Sequence, residues 1–303
     1  MENTIVNRIN ELKAEKNAVI PAHYYTDDDV QSLADYVGDS FYLAKIAKGI
    51  DADVIVFCGV SFMGESAKIL NPDKTVLMPD LTADCAMAHM VKPGKIEEMR
   101  RIYDDLAVVC YINSTAELKC QSDVCVTSSN AIKIVRALPQ KNIFFIPDKN
   151  LGRFVKETVP EKNIILNDGF CPIHATVTAK DVEKEKEKHP EALVVAHPEC
   201  EDEVLLAADY VGSTAEIISY VNESVADSFI VCTEEGVEYR LREDNPGKRF
   251  YFPERLPCCA DMKLNTPEKI LKVLETGKNE VHVADMVRER ALLPLDRMLE
   301  LAK

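Results

Sequence analysis

The chain has 303 residues, of which 47% are hydrophobic and 29% charged. That is a globular composition with room for two or three domains, and it excludes disorder as the main state. A formal net charge of −15 argues against a nucleic-acid partner, whose phosphates require a basic patch.

The opening MENTIVNRINELKAEKN predicts a charged amphipathic helix rather than a signal peptide, and no apolar run approaches the roughly 18 residues of a membrane span. Ten cysteines are too sparse for a disulfide scaffold, so reduced thiols in a cytoplasmic protein are expected. AVIPAHYY (18–25) predicts a first strand, and VGDSFYLAKIAK a hydroxyl-bearing turn that opens a helix. A second strand begins at Val54, and a third ends in the acid Asp80, before a loop carrying Cys85. The same series returns with AVVCYIN (107–113), VTSSNAIKIVRA, a strand from Ile143, a strand ending at Asp168, and Cys171. It returns again with LVVAHPE (193–199), VGSTAEIISYV, a strand from Phe229, a strand ending at Glu254, and the pair Cys258-Cys259. The period is about 87 residues, the mark of internal duplication.

Strands alternating with helices predict parallel α/β units. The fold expected is α/β: three repeated three-layer α/β/α domains over residues 1–104, 105–190 and 191–303, in a pseudo-threefold arrangement. Ligands of open α/β sheets bind beyond the carboxyl ends of the strands, so three units would aim their strand ends at one central site. Cys58, Cys110 and Cys232 fall inside apolar runs and read as small buried hydrophobes. Cys85, Cys171 and either Cys258 or Cys259, which the period does not separate, would instead deliver one thiol per unit. Structural zinc wants four ligands, often in local C-x-x-C pairs, and these are lacking. A 4Fe-4S cluster held by three thiolates keeps one iron open as a Lewis acid.

With a strand period of two, His23 would share a face with Tyr25, Tyr111 with Asn113, and His197 with Glu199. Tyr and Glu there suit proton transfer, and His suits hydrogen bonding to carboxylates. Asp39-Ser40, Ser128-Ser129 and Ser213-Thr214 stand at expected helix starts, where a small polyanion could be received. His174 lies three residues beyond Cys171 and is a further candidate for the site. His89, His189 and His282 read as solvated, and the run 180–191 as a solvated helix face.

The stretches PAHYYTDDDVQSLADYVGDS, FCGVSFMGESAKILNP, LMPDLTADCAMA, CYINSTAELK, CVTSSNA, FIPDKNLG, GFCPIH, AHPEC, YVGSTAEII and CCADMKLNTPEKI resemble the quinolinate synthase family over nearly the whole chain. That resemblance implies three α/β domains around a 4Fe-4S cluster held by Cys85, Cys171 and Cys259. Cys259 is chosen over Cys258 because the family cysteine stands three residues before a Met-Lys pair, here Met262-Lys263. It implies a transferase of NAD biosynthesis that condenses iminoaspartate with dihydroxyacetone phosphate to quinolinate, losing phosphate and two waters. An aspartate oxidase or aspartate dehydrogenase would supply the imine. It further implies His23, Tyr25, Tyr111, Asn113, His174, His197 and Glu199 as catalytic or substrate-binding residues, Tyr25 and Glu199 for proton transfer. Ser40, Ser128, Ser213 and Thr214 would grip phosphate or carboxylates. Asp84-Cys85-Ala86 departs from the Gly-Cys-Ser common in the family, and the C-x-x-C-x-x-C ending of some members is lacking. An iron–sulfur dehydratase acting on a small hydroxy acid and a metal-free anion-binding module are the competing expectations.

Overall fold

Uninterrupted Val, Ile and Phe runs suit strands buried on both faces, as in parallel sheets covered by helices. The computed structural model describes residues 3–303 and bears out the α/β class. Its strands are β1 (Ala18–Val19), β2 (Pro21–His23), β3 (Tyr36–Gly38), β4 (Val54–Val56), β5 (Thr75–Leu77), β6 (Leu106–Tyr111), β7 (Val124–Val126), β8 (Asn142–Ile146), β9 (Asn163–Leu166), β10 (Leu193–Ala196), β11 (Tyr210–Val211), β12 (Ser228–Cys232) and β13 (Arg249–Tyr251). Two four-stranded sheets have the orders β7-β6-β8-β9 and β11-β10-β12-β13. The first part of the chain forms β3-β2 and β1-β4-β5. A parallel bridge between Ala22 and Cys58 continues the pairing of β1 with β4, so β1 and β2 act as one strand interrupted at Ile20. The three sheets therefore share one strand order, with parallel in-register pairs such as Leu193 with Phe229 and Leu106 with Asn142.

The chain divides into two compact units. One comprises the chain up to His89 with Ile112–Cys125 and Ala260–Lys303. Its core includes Ile9, Leu12, Ile20, Leu77, Ile270 and Leu274, which pack helix Asn3–Glu15 and helix Pro267–Thr276 over the sheet. The other comprises Met90–Tyr111 and Val126–Cys259. Phe144, Phe145 and Phe229 are 0% exposed there, each contributing about 2–3 kcal/mol of apolar burial. Among the described residues no helix is long and apolar enough to cross a membrane.

The repeat extends to single hydrogen bonds. The Ile20 amide donates to the Asp35 carboxylate and the Val194 amide to Asp209, both at 2.8 Å. Three lysines close the ends of three matching helices, where carbonyls are left over and a cation complements the dipole. Lys74 donates to the Ile50 carbonyl after helix Ser40–Gly49, and Lys162 to Leu138 after Ala131–Ala137. Lys248 donates to Val221 and Ser224 at the end of Thr214–Glu223.

Candidate active site

In the second unit β6 and β10 end at Tyr111 and Ala196, and the chain turns at once, with the Cys200 amide donating to the His197 carbonyl at 2.9 Å. The turn folds the Glu199 amide onto His197 Nδ1 at 3.3 Å and buries both side chains, each 4% exposed. Glu199 Oε2 lies 2.7 Å from Nδ1 of His174, whose side chain is 1% exposed. The rings of His174 and His197 stack with centroids 4.7 Å apart. Burial alone would raise the Glu199 pKa, but the His174 charge and hydrogen bond, with His197 and Tyr111, hold it below the ordinary carboxylate range. Asp148 behaves oppositely: burial first, and then the charge of Glu199, push its carboxyl well up. Neighbouring imidazoles thus hold one carboxyl down while burial pushes the other up. Glu199 Oε1 and Asp148 Oδ2 are buried with no hydrogen-bond partner.

His174 is aimed from both sides. Its Nδ1 is 3.2 Å from Cys171 Sγ, and its Nε2 is 3.0 Å from Thr233 Oγ1 at the end of β12. The adjoining Glu234, 1% exposed, accepts from the amides of Gly236 at 2.7 Å and Cys259 at 3.0 Å. One dipeptide therefore holds both the His174 ring and the Cys259 loop. Before Cys171 the backbone is tight, since a Cβ on Gly169 would stand 2.6 Å from the Pro147 carbonyl oxygen.

The first unit repeats this local design. The Tyr25 amide donates to His23 Nδ1 at 3.1 Å, and the Thr26 amide to the His23 carbonyl at 3.0 Å. The His23 and Tyr25 rings meet edge-on at 4.5 Å, and Lys263 donates to the Tyr25 carbonyl at 3.0 Å. Asn113 begins a segment clasped from behind. Buried Lys119 donates to the Ser114 carbonyl at 2.5 Å, and Glu65 accepts from the Ala116 amide at 2.9 Å. Cys85 follows Asp84, which accepts from the Ser61 hydroxyl, pairs with His89 at 2.7 Å, and donates its amide to Asp261 at 3.2 Å. His89 is exposed yet paired, and His189 is stacked on Tyr251 at 3.5 Å, so neither is merely solvated. His282 is exposed.

One expectation about geometry is corrected. The partners Tyr25, Asn113 and Glu199 are not on strands: β2, β6 and β10 end at His23, Tyr111 and Ala196, and turns fold the Tyr25 amide onto His23 Nδ1 and the Glu199 amide onto His197 Nδ1. The hydroxyl-bearing turns do open helices: Ser213 Oγ accepts from the Glu216 amide in a capping box, and the cap before Ser40 is Asp39, which accepts from the Tyr42 amide at 2.8 Å. Thr214 is buried at the following position, and Ser128 is half-buried before helix Ala131–Ala137. Asp148, Thr233 and Glu234 escaped the sequence reading. A signal was present, because Asp148 and Glu234 sit one period apart, and each caps the amide two residues on.

The cysteines sort into two groups. Cys58, Cys110, Cys125, Cys200 and Cys232 are 0% exposed, and burial pushes the Cys232 thiol up to about 12, which makes it a poor ligand. Cys85, Cys171 and Cys259, the trio on matching loops, are half-buried and outside any disulfide, as is Cys120, and Cys258 is exposed. Each member of the trio follows the last strand of its own sheet, β5, β9 or β13. Half-buried loop thiols have the chemistry of iron–sulfur ligands, unlike the fully buried ones.

The family model described as Quinolinate synthetase A protein matches residues 7–300. A quinolinate synthase of Fusobacterium nucleatum is 53% identical over 296 residues, covering 98% of this chain and 99% of that protein. That of Caldicellulosiruptor saccharolyticus is 50% identical over 98% of each chain, and that of Clostridioides difficile 48% identical over the full length of both.

Proposed function

The chain belongs to the quinolinate synthase family, and from that premise we propose that it condenses iminoaspartate with dihydroxyacetone phosphate, releasing phosphate and two waters to leave quinolinate. We read its three sheets as three copies of one unit, over 1–104, 105–190 and 191–303. The observation that carries the chemistry is Glu199, buried 2.7 Å from His174 Nδ1 with one oxygen lacking a hydrogen-bond partner. Cys85, Cys171 and Cys259 would hold the 4Fe-4S cluster, which supplies when bound a Lewis-acidic iron lacking a protein thiolate.

The residues divide the remaining work. His23 Nδ1 and His197 Nδ1 accept backbone amides, so each ring carries its proton on Nε2, a donor suited to a substrate carboxylate. Glu199 takes a proton from carbon or hydroxyl as bonds form, and His174 Nδ1 stabilises or relays it. Tyr25 serves as the second proton-transfer group. Tyr111 hydrogen-bonds Glu199 and fixes its direction, while Asn113 orients the substrate. Ser40, Ser128, Ser213 and Thr214 meet phosphate and carboxylates at helix starts, where local dipoles offset the repulsion of a chain of net charge −15. The imine substrate hydrolyses readily, so a cytoplasmic aspartate oxidase or aspartate dehydrogenase would supply it. The test is anaerobic turnover: full-length protein, iminoaspartate and dihydroxyacetone phosphate should give quinolinate and one equivalent of phosphate. Phosphate release without quinolinate would refute the reading.

A further inference from the structure

The group Cys171, His174 and Glu199 has a property that the reaction does not require. One ligand atom from each lies within 4.8 Å of the other two, with His174 Nδ1 between Cys171 Sγ at 3.2 Å and Glu199 Oε2 at 2.7 Å. Sulfur, imidazole nitrogen and carboxylate oxygen form the mixed three-ligand set that zinc accepts with a water as fourth partner. Tetrahedral bonds of about 2.0–2.3 Å set ligand–ligand edges of roughly 3.3–3.6 Å. The Cys171–His174 spacing of 3.2 Å falls short by a few tenths of an ångström and the His174–Glu199 spacing of 2.7 Å by about 0.6 Å, so an ion would push the two side chains slightly apart.

The outer shell is also in place. A ligating histidine ordinarily donates its other ring N–H to an oxygen that fixes the ring, and His174 Nε2 lies 3.0 Å from Thr233 Oγ1. Glu199 is 3% exposed, and its Oε1 has no hydrogen-bond partner, so a carboxylate oxygen is available for coordination, with the ion replacing the His174 Nδ1 contact to Oε2. All four residues lie within one compact unit. We propose that in the cluster-free chain Cys171, His174 and Glu199 form a mononuclear site for a divalent zinc-like ion, which competes with cluster assembly for Cys171.

Full-length protein stripped of iron under anaerobic, reducing conditions is titrated with cobalt(II), then with zinc(II). The expected result is one cobalt per chain with a thiolate charge-transfer band and the intense visible absorption of a tetrahedral ion, both abolished by zinc. The bands survive in Cys85→Ala and Cys259→Ala, and the charge-transfer band is lost in Cys171→Ser, which keeps the fold's volume. Thr233→Val leaves all three ligands and weakens cobalt binding about 10- to 100-fold. A wild-type chain with no such band overturns the proposal. So does a band lost in Cys85→Ala or Cys259→Ala, or one that persists in Cys171→Ser. None of these readouts depends on quinolinate formation.

Discussion

The loops of Cys85 and Cys171 occupy matching places after β5 and β9, yet they are held by opposite means. Asp84 steadies the first through Ser61 and His89, in a pair with side chains 45% and 55% exposed. The second rests on His174 and Glu199, 1% and 4% exposed. Water screens the first pair, which is worth at most about 1 kcal/mol. The second is desolvated, and removing one partner strands a charge at a cost of about 3–5 kcal/mol. Matching loop positions thus sit in different dielectrics, one acid screened by water and the other desolvated.

That contrast can be broken by substitution. Glu199→Ala should destabilise the protein by about 3–5 kcal/mol in urea unfolding. Glu199→Gln, which keeps the shape, should lower kcat by roughly 10²–10⁴ with a far smaller stability loss. Equal activity in Glu199→Gln and wild type would remove Glu199 from proton transfer. Glu234→Ala leaves the Cys259 and Gly236 amides without their acceptor, and should cost about 1–3 kcal/mol together with part of the bound iron, read by thermal unfolding and iron content. Asp84→Asn should cost at most about 1 kcal/mol, and a larger loss would show that the exposed clasp is not screened. The smallest effect is at Asp80. Hydrogen bonds from Lys269 and Thr82 hold its carboxylate down to about 2. Because the folded value lies below the unfolded one, its contribution is complete above the ordinary carboxylate pKa and disappears as pH falls toward 2. Asp80→Asn should remove that contribution at neutral pH, at a cost of about 1 kcal/mol or less, and flatten acid unfolding, with stability near pH 2 nearly unchanged.

The apolar strands were legible because runs such as IFFI and FIVC have one reading in an α/β chain, and the period exposed the matching loops. The edge strands Tyr36–Gly38, Val124–Val126 and Tyr210–Val211 were not, since two or three residues beside a hydroxyl-bearing turn carry no periodicity. Pairing His197 with Glu199 was legible from spacing, but its cause was not. The strand stops at Ala196, and the His197 ring itself catches the Glu199 amide. Thr233 and Glu234 act through the His174 ring and the Cys259 amide, tertiary contacts that a linear pattern does not record. Lys74, Lys162 and Lys248 did recur on the period, but lysines on a surface attract no notice until the helix ends they close are seen.

The proposed chemistry turns on three thiolates from three matched loops, and counting iron tests it most directly. Anaerobically purified wild type should carry about four irons and four sulfides per chain. Alanine at Cys85, Cys171 or Cys259 should remove them, and alanine at Cys58, Cys110 or Cys232 should not. Iron retained in Cys259→Ala but lost in Cys258→Ala would contradict the assignment of the third thiolate, and a colourless wild type would contradict the whole account.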